Sequence, residues 1–200
     1  FFGEMEFTGN SENYYDPRNS YLNDVLDRRK GIPISLSVIY QYLAATAGVH
    51  LVGVNFPGHF LLALRRPTDR IYIDVFQCGE WLDWSDCLER FETTCATPLS
   101  LDEVDLVPMT DSEILLRMLR NLKGIYSRAD LACCLQVQER ICQLAGRDPS
   151  ELRDLGILYF HQEKPILAIR AFERVLREHP HFSDRHVIES YLEKASRQAV

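Results

Sequence analysis

Ser35, His59 and Asp74 have the types and the chain order for nucleophilic chemistry assisted by acid–base catalysis. A hydroxyl needs a base to take its proton. The base in turn needs a carboxylate or amide behind it to fix its tautomer and orientation. His59 and Asp74 lie fifteen residues apart and suit base and orienter. Ser35 is the residue with nucleophilic chemistry at the start of an apolar helix, where unpaired N–H groups stabilise a developing anion. It suits a second role as well, accepting a backbone N–H as a helix cap. His59 and Asp74 likewise suit purely structural roles as polar groups at strand ends. Asn55 and Gln77 are candidate amide donors lining the same cleft.

Placing these groups together requires a helix start followed by two neighbouring strands. The run from Gly31 through Ala47 is apolar nearly all round, which predicts a central helix opening at Ser35 and ending at Gly48. Alternation predicts strands at Leu51–Phe56, Leu61–Leu64 and Ile71–Val75, with Pro57-Gly58 and Arg66–Asp69 as turns. His59 then opens one strand and Asp74 closes the next. Upstream, Asn19 or Ser20 is expected to cap a helix through Arg29, with Gly31 as its left-handed stop. Downstream, Glu80–Asp83 reads as a short strand or turn, and Asp83 or Ser85 caps a helix through Phe91 with Cys87, Leu88 and Phe91 inward. Tyr14, Tyr15, Trp81 and Trp84 are expected in core or groove wall. The segment Thr93–Pro108, rich in Thr, Pro and acid, reads as a linker.

Composition narrows the classes of function. Through Thr110 there are eight Lys+Arg against sixteen Asp+Glu, an acidity that argues against nucleic-acid binding. The six cysteines form no C-x-x-C pair and no zinc spacing, so they read as apolar fillers of a reducing compartment. The histidines at 179, 181 and 186 surround Pro180 in a turn and are expected to be solvated. No metal or cofactor is expected. The chain opens on Phe1 without Met, so an upstream native start is expected; no signal peptide is visible, and no apolar run reaches the roughly 20 residues that cross a bilayer.

From Thr110 the pattern is helical throughout: Asp111–Tyr126, Asp130–Ala145, Pro149–His161, Pro165–Glu178 and Asp184–Ala199 each carry apolar residues at a period near 3.6. The third and fourth follow the 34-residue tetratricopeptide pattern, with Leu155-Gly156, Tyr159, Ala168, Phe172 and Pro180 in place. Leu122, Tyr126 and Leu135 suggest a degenerate preceding copy, and the last helix a cap. The expected division is residues 1–108 and 109–200.

The runs Asn13–Asp16, Ser20–Leu22, Arg28–Leu36 and Gly53–Leu61, above all Gly-x-Pro-Ile-Ser and Pro-Gly-His-Phe, resemble the SirB-type family of bacteria and plastids. That family joins a transglutaminase-like domain to tetratricopeptide-like helices, and its module recurs in an F-box-only protein of animals. The resemblance implies an α+β fold: a papain-like core, then an all-α repeat region. It puts the superfamily's His and Asp on His59 and Asp74, and its cysteine near Pro33–Ser35, where this chain has no Cys. Cys78 follows both, on the wrong side of that order.

Two functions are therefore expected. One is a protein-interaction scaffold or regulatory protein with a degenerate transglutaminase-like domain, gripping a protein or peptide partner in the bacterial cytoplasm or plastid stroma. The other is an amide or peptide hydrolase or acyltransferase working through Ser35, His59 and Asp74.

Overall fold

The computed structural model describes residues 1–56, 58–65, 70–95 and 107–199, and divides into two units, Phe1–Met118 and Leu119–Val200. The division expected at residue 108 lies ten residues earlier, and the turns at Pro57 and at 66–69 lie outside the described residues, as does 96–106 of the expected linker.

In the first unit, β1 (Thr8–Gly9) pairs in parallel with β2 (Lys30–Gly31), and α1 (Leu22–Arg28) lies between them in the chain. The long helix α2 (Pro33–Thr46) follows β2. A four-stranded antiparallel sheet runs β3 (Val52–Phe56), β4 (His59–Arg65), β5 (Arg70–Asp74) and β6 (Glu80–Leu82) in spatial order. Period-two alternation divides its side chains. Phe60, Leu62, Ile73 and Val75 join Ile34, Leu36 and Ile39 of α2 in one core. Val54, Phe56, Leu61, Ala63, Tyr72 and Leu82 join Cys87 of α3 (Trp84–Cys95) in the other. The sheet is thus covered on both faces, which fixes its register, because a one-residue slip would exchange the two sets.

The local signals were mostly legible, with informative differences. α2 begins at Pro33, two residues before Ser35, because proline suits the first helical position, where its missing N–H is no loss. Its first half is buried, but Tyr42 is exposed. The left-handed residue ending α1 is Arg29 (φ 58°), not Gly31. Gly31 is needed for space: a Cβ there would lie 2.8 Å from Ser35 Oγ. Neither Asn19 nor Ser20 caps α1; Tyr21 precedes it, and Asn19 is fully buried. Asp83 does cap α3, accepting from Asp86 N at 2.9 Å, and α3 continues beyond Phe91. Trp81 and Tyr15 are exposed at 63% and 78%, while Trp84 packs on the second core.

The helix α4 (Asp111–Ala129) carries the unit division; Ile114 and Met118 in its first half belong to the first core. In the second unit α5 (Leu131–Ala145), α6 (Pro149–His161), α7 (Pro165–Glu178) and α8 (Arg185–Gln198) pack in sequence. Ala168, Phe172, Val175, Ile188 and Ala195 are completely buried where α6, α7 and α8 meet. Gly156 is the close-approach point of the repeat: a Cβ on it would stand 2.5 Å from the Phe172 ring. Gly156→Ala is therefore expected to destabilise the second unit by about 1–3 kcal/mol despite alanine's better helix propensity, read by chemical denaturation.

Candidate functional site

Gly58 (φ 71°) brings the chain into β4, where Phe56 pairs with His59. In the β4–β5 ladder Leu62 faces Ile73, which sets Asp74 opposite Leu61, one same-face step from His59. His59 Nε2 meets Asp74 Oδ2 at 2.8 Å. His59 is 24% exposed and Asp74 1%.

Asp74 is engaged on every side. Oδ1 accepts from the backbone N–H groups of Phe76 and Gln77 at 3.0 and 3.1 Å, closing the turn after β5. Oδ2 accepts from Arg90 Nη1 of α3 at 2.8 Å, and Arg90 also reaches Glu80 of β6. Burial pushes the Asp74 carboxyl up, but the His59 hydrogen bond and charge, the Gln77 amide and Arg90 outweigh it and hold it below the usual carboxylate range. Asp74 therefore stays ionised and orients the imidazole through Nε2, leaving Nδ1 without a hydrogen-bond partner among the described residues.

Ser35 is engaged elsewhere. It is completely buried at the third position of α2. Its Oγ accepts from Ile32 N at 3.1 Å and lies 2.6 Å from the Asn19 carbonyl, to which it donates. Among the described residues it makes no hydrogen bond to His59. Asn19 is tied in further: its Nδ2 donates to the carbonyls of Asn13 and Tyr14 and its Oδ1 accepts from Asn10 Nδ2 at 3.0 Å. The structure brings His59 and Asp74 together and places the Ser35 hydroxyl in a separate network that anchors residues 10–20 to the start of α2.

Of the expected amide donors, Asn55 is exposed on β3 and accepts from Arg117 Nη1 of α4, while the exposed Gln77 contributes its backbone N–H to Asp74. Arg90 and Arg117 were not singled out from the sequence. Arg90 was within reach of such reading, because it lies three residues after the inward Cys87 and so shares its helix face. Arg117 lies 62 residues from Asn55 and carries no local signal.

Two of the thiols are unsuited to act as nucleophiles. Cys87, on the Asp74 side of the sheet, is completely buried, and burial with the Asp86 charge pushes its thiol up to about 12. Burial likewise pushes Cys142 up to about 11. Neither is a thiolate at neutral pH. Among the described residues no group of three His, Cys, Asp or Glu side chains could hold a metal ion, and no helix is long and apolar enough to cross a membrane.

The lowered Asp74 carboxyl fixes the sign of a pH effect. Its contribution to stability is complete above the unfolded value near ~4 and is lost as pH falls through the lower folded one. Asp74→Ala is expected to cost about 3 kcal/mol at pH 7, because it strands His59 and two backbone N–H groups and removes one of Arg90's carboxylate partners. Denaturation at a series of pH values should show that cost shrinking below pH ~4.

A sequence profile of the transglutaminase-like superfamily matches residues 1–120, and one of the tetratricopeptide repeat matches 122–193. A UPF0162 protein of Xylella fastidiosa (strain Temecula1) is 34% identical over 206 residues, spanning all of this chain and 72% of that protein. One from Vibrio cholerae is 32% identical over 183 residues, 90% of this chain and 67% of its own length. F-box only protein 21 of Mus musculus is 43% identical over 94 residues, 43% of this chain and 15% of that protein. With an α+β core carrying the paired His59 and Asp74 and a helical repeat after it, the chain belongs to the transglutaminase-like superfamily and to the family of the bacterial UPF0162 proteins.

Proposed function

We propose that the chain is a SirB-type interaction protein of a bacterial cytoplasm or plastid stroma. In this reading the transglutaminase-like unit keeps its base and orienting acid without a nucleophile aligned to them, and the repeat unit holds a segment of a protein partner. The observation that carries the reading is the state of Ser35. A nucleophilic hydroxyl must face its base and a reacting carbonyl. This one is completely buried and faces the Asn19 carbonyl at 2.6 Å.

The repeat unit supports the interaction half. Stacked helix pairs present extended surfaces suited to peptides. A groove of about 690 Å³ runs along α5 and α6, walled by Leu152, Leu155 and Tyr159, with Glu139, Arg147 and Arg174 at its polar edges. Tyr159 donates to Glu139 at 2.8 Å, so the groove's wall is held in place.

The rival reading, a hydrolase or acyltransferase using Ser35, keeps one observation in its favour: the unpartnered Nδ1 of a correctly oriented His59. A fluorophosphonate probe separates the two. The folded chain is expected to take up no more label than Ser35→Ala; labelling that disappears in Ser35→Ala would establish the enzyme. Ser35→Ala is expected to cost roughly 1–3 kcal/mol of stability, since it leaves Ile32 N–H and the Asn19 carbonyl buried and unpaired. Affinity capture at native expression levels, comparing wild type with Arg147→Glu, tests the interaction half. A protein partner is expected with wild type and is lost from the variant, whereas recovery of none would remove the reading.

A further inference from the structure

Arg117 sits beside His59 in a way that the acid–base pair does not require. Its Nη1 donates to Asn55 Oδ1, its Nη2 donates to the His59 carbonyl at 2.7 Å, and its guanidinium carbon lies 5.4 Å from the Phe60 ring centroid. Each of these partners is neutral. Among the described residues no Asp or Glu forms an ion pair with Arg117. A guanidinium has five N–H donors, so three remain after these two bonds. Among the described residues, then, this half-buried cation has only neutral acceptors and no counter-charge to offset its desolvation.

The surroundings of Arg117 mark out a corner of the first unit. The Tyr14 and His59 rings both stand edge-on to Phe76, at 6.0 and 6.4 Å between centroids. Tyr14 is 38% exposed, and its hydroxyl feels the Arg117 charge, which draws its pKa down against the larger upward push of burial. Burial in turn lowers Arg117 itself. The corner therefore combines a guanidinium with no ion-pair partner among the described residues, an accessible phenol and flat aromatic walls.

We propose that Arg117, with Tyr14 beside it, forms a subsite for the carboxylate of a partner polypeptide at the His59 end of the β3–β4 hairpin. The planar fork of an arginine matches a carboxylate with two parallel N–H donors, and the Tyr14 hydroxyl supplies a further donor. A monoanion fits better than a phosphate chain, because the first 110 residues carry eight basic against sixteen acidic side chains and repel a polyanion. The proposal rests on the interaction reading and deepens it: the acid–base cleft becomes a second point of grip, specific for an acidic group.

NMR titration of the whole chain tests this, following the Arg117 Nε–H signal and the backbone amides of Tyr14 and His59. The probes are acetyl-Gly-Ala with a free carboxylate, the same dipeptide amidated, acetyl-Gly-Glu amide and inorganic phosphate. Saturable shifts are expected with a carboxylate probe and not with the amidated Gly-Ala. The first and third probes tell a chain terminus from an acidic side chain as the source. Arg117→Met is expected to weaken binding roughly ten-fold or more, and Arg117→Lys, which keeps the charge and loses the fork, to fall between. Should the Met variant fail to fold, the Lys variant carries the comparison. Equal shifts with acid and amide, no saturable shift at these residues, undiminished binding in Arg117→Lys, or tighter binding of phosphate would each overturn the subsite. These failures leave the non-catalytic reading standing, and Ser35-dependent labelling would remove that reading while leaving the subsite intact.

Discussion

The first unit depends on keeping one carboxylate charged in a nearly water-free position. Asp74, 1% exposed, joins the end of β5 to the turn that follows it, to the first residue of β4 and to α3. An ionised carboxylate is tolerated there only because its lone pairs meet two backbone amides, an imidazole and a guanidinium. The arrangement fixes the His59 ring with Nε2 turned inward. The same geometry serves a general base and a rigid corner equally well, so the pair alone does not define a reaction. What lies opposite Nδ1 does.

The first turn of α2 carries Ser35 and no cysteine. The superfamily arrangement needs a reactive atom at a helix N-terminus facing the imidazole. Here the polar atom of that turn is Ser35 Oγ, bonded to Ile32 N and the Asn19 carbonyl. Asn19 extends the network to Asn10, Asn13 and Tyr14. A hydroxyl in this position holds the N-terminal segment down. In the proposed interaction reading, that helix terminus serves architecture.

Periodicity made most of the fold legible. The helices from Asp111 onward were placed within a few residues, because each buries a continuous stripe and breaks at Pro, Gly or Asp. The His59–Asp74 pairing was legible because hairpin connections are short and register carries both residues to one face. What stayed hidden was tertiary. The Ser35 to Asn19 bond spans sixteen residues, and the Arg117 to Asn55 bond spans 62, distances over which no local pattern operates. The left-handed residue was expected at Gly31 and lies at Arg29, since a well-packed turn can impose φ > 0 on a side chain. Trp81 was expected in a core or groove wall and is exposed on β6, where hydrophobicity alone does not say which side of a short edge strand faces inward.

The contact between Gly31 and Ser35 bears on how such a protein could acquire new reactivity. A methyl group at position 31 would stand 2.8 Å from the Ser35 oxygen, with Leu36 and Val25 at 3.0 and 3.1 Å behind it. Sulfur is larger than oxygen and bonds at greater length. Exchanging this hydroxyl for a thiol in one step would thus crowd the β1–β2 ladder and weaken the Asn19 tether, without turning the new atom toward the imidazole.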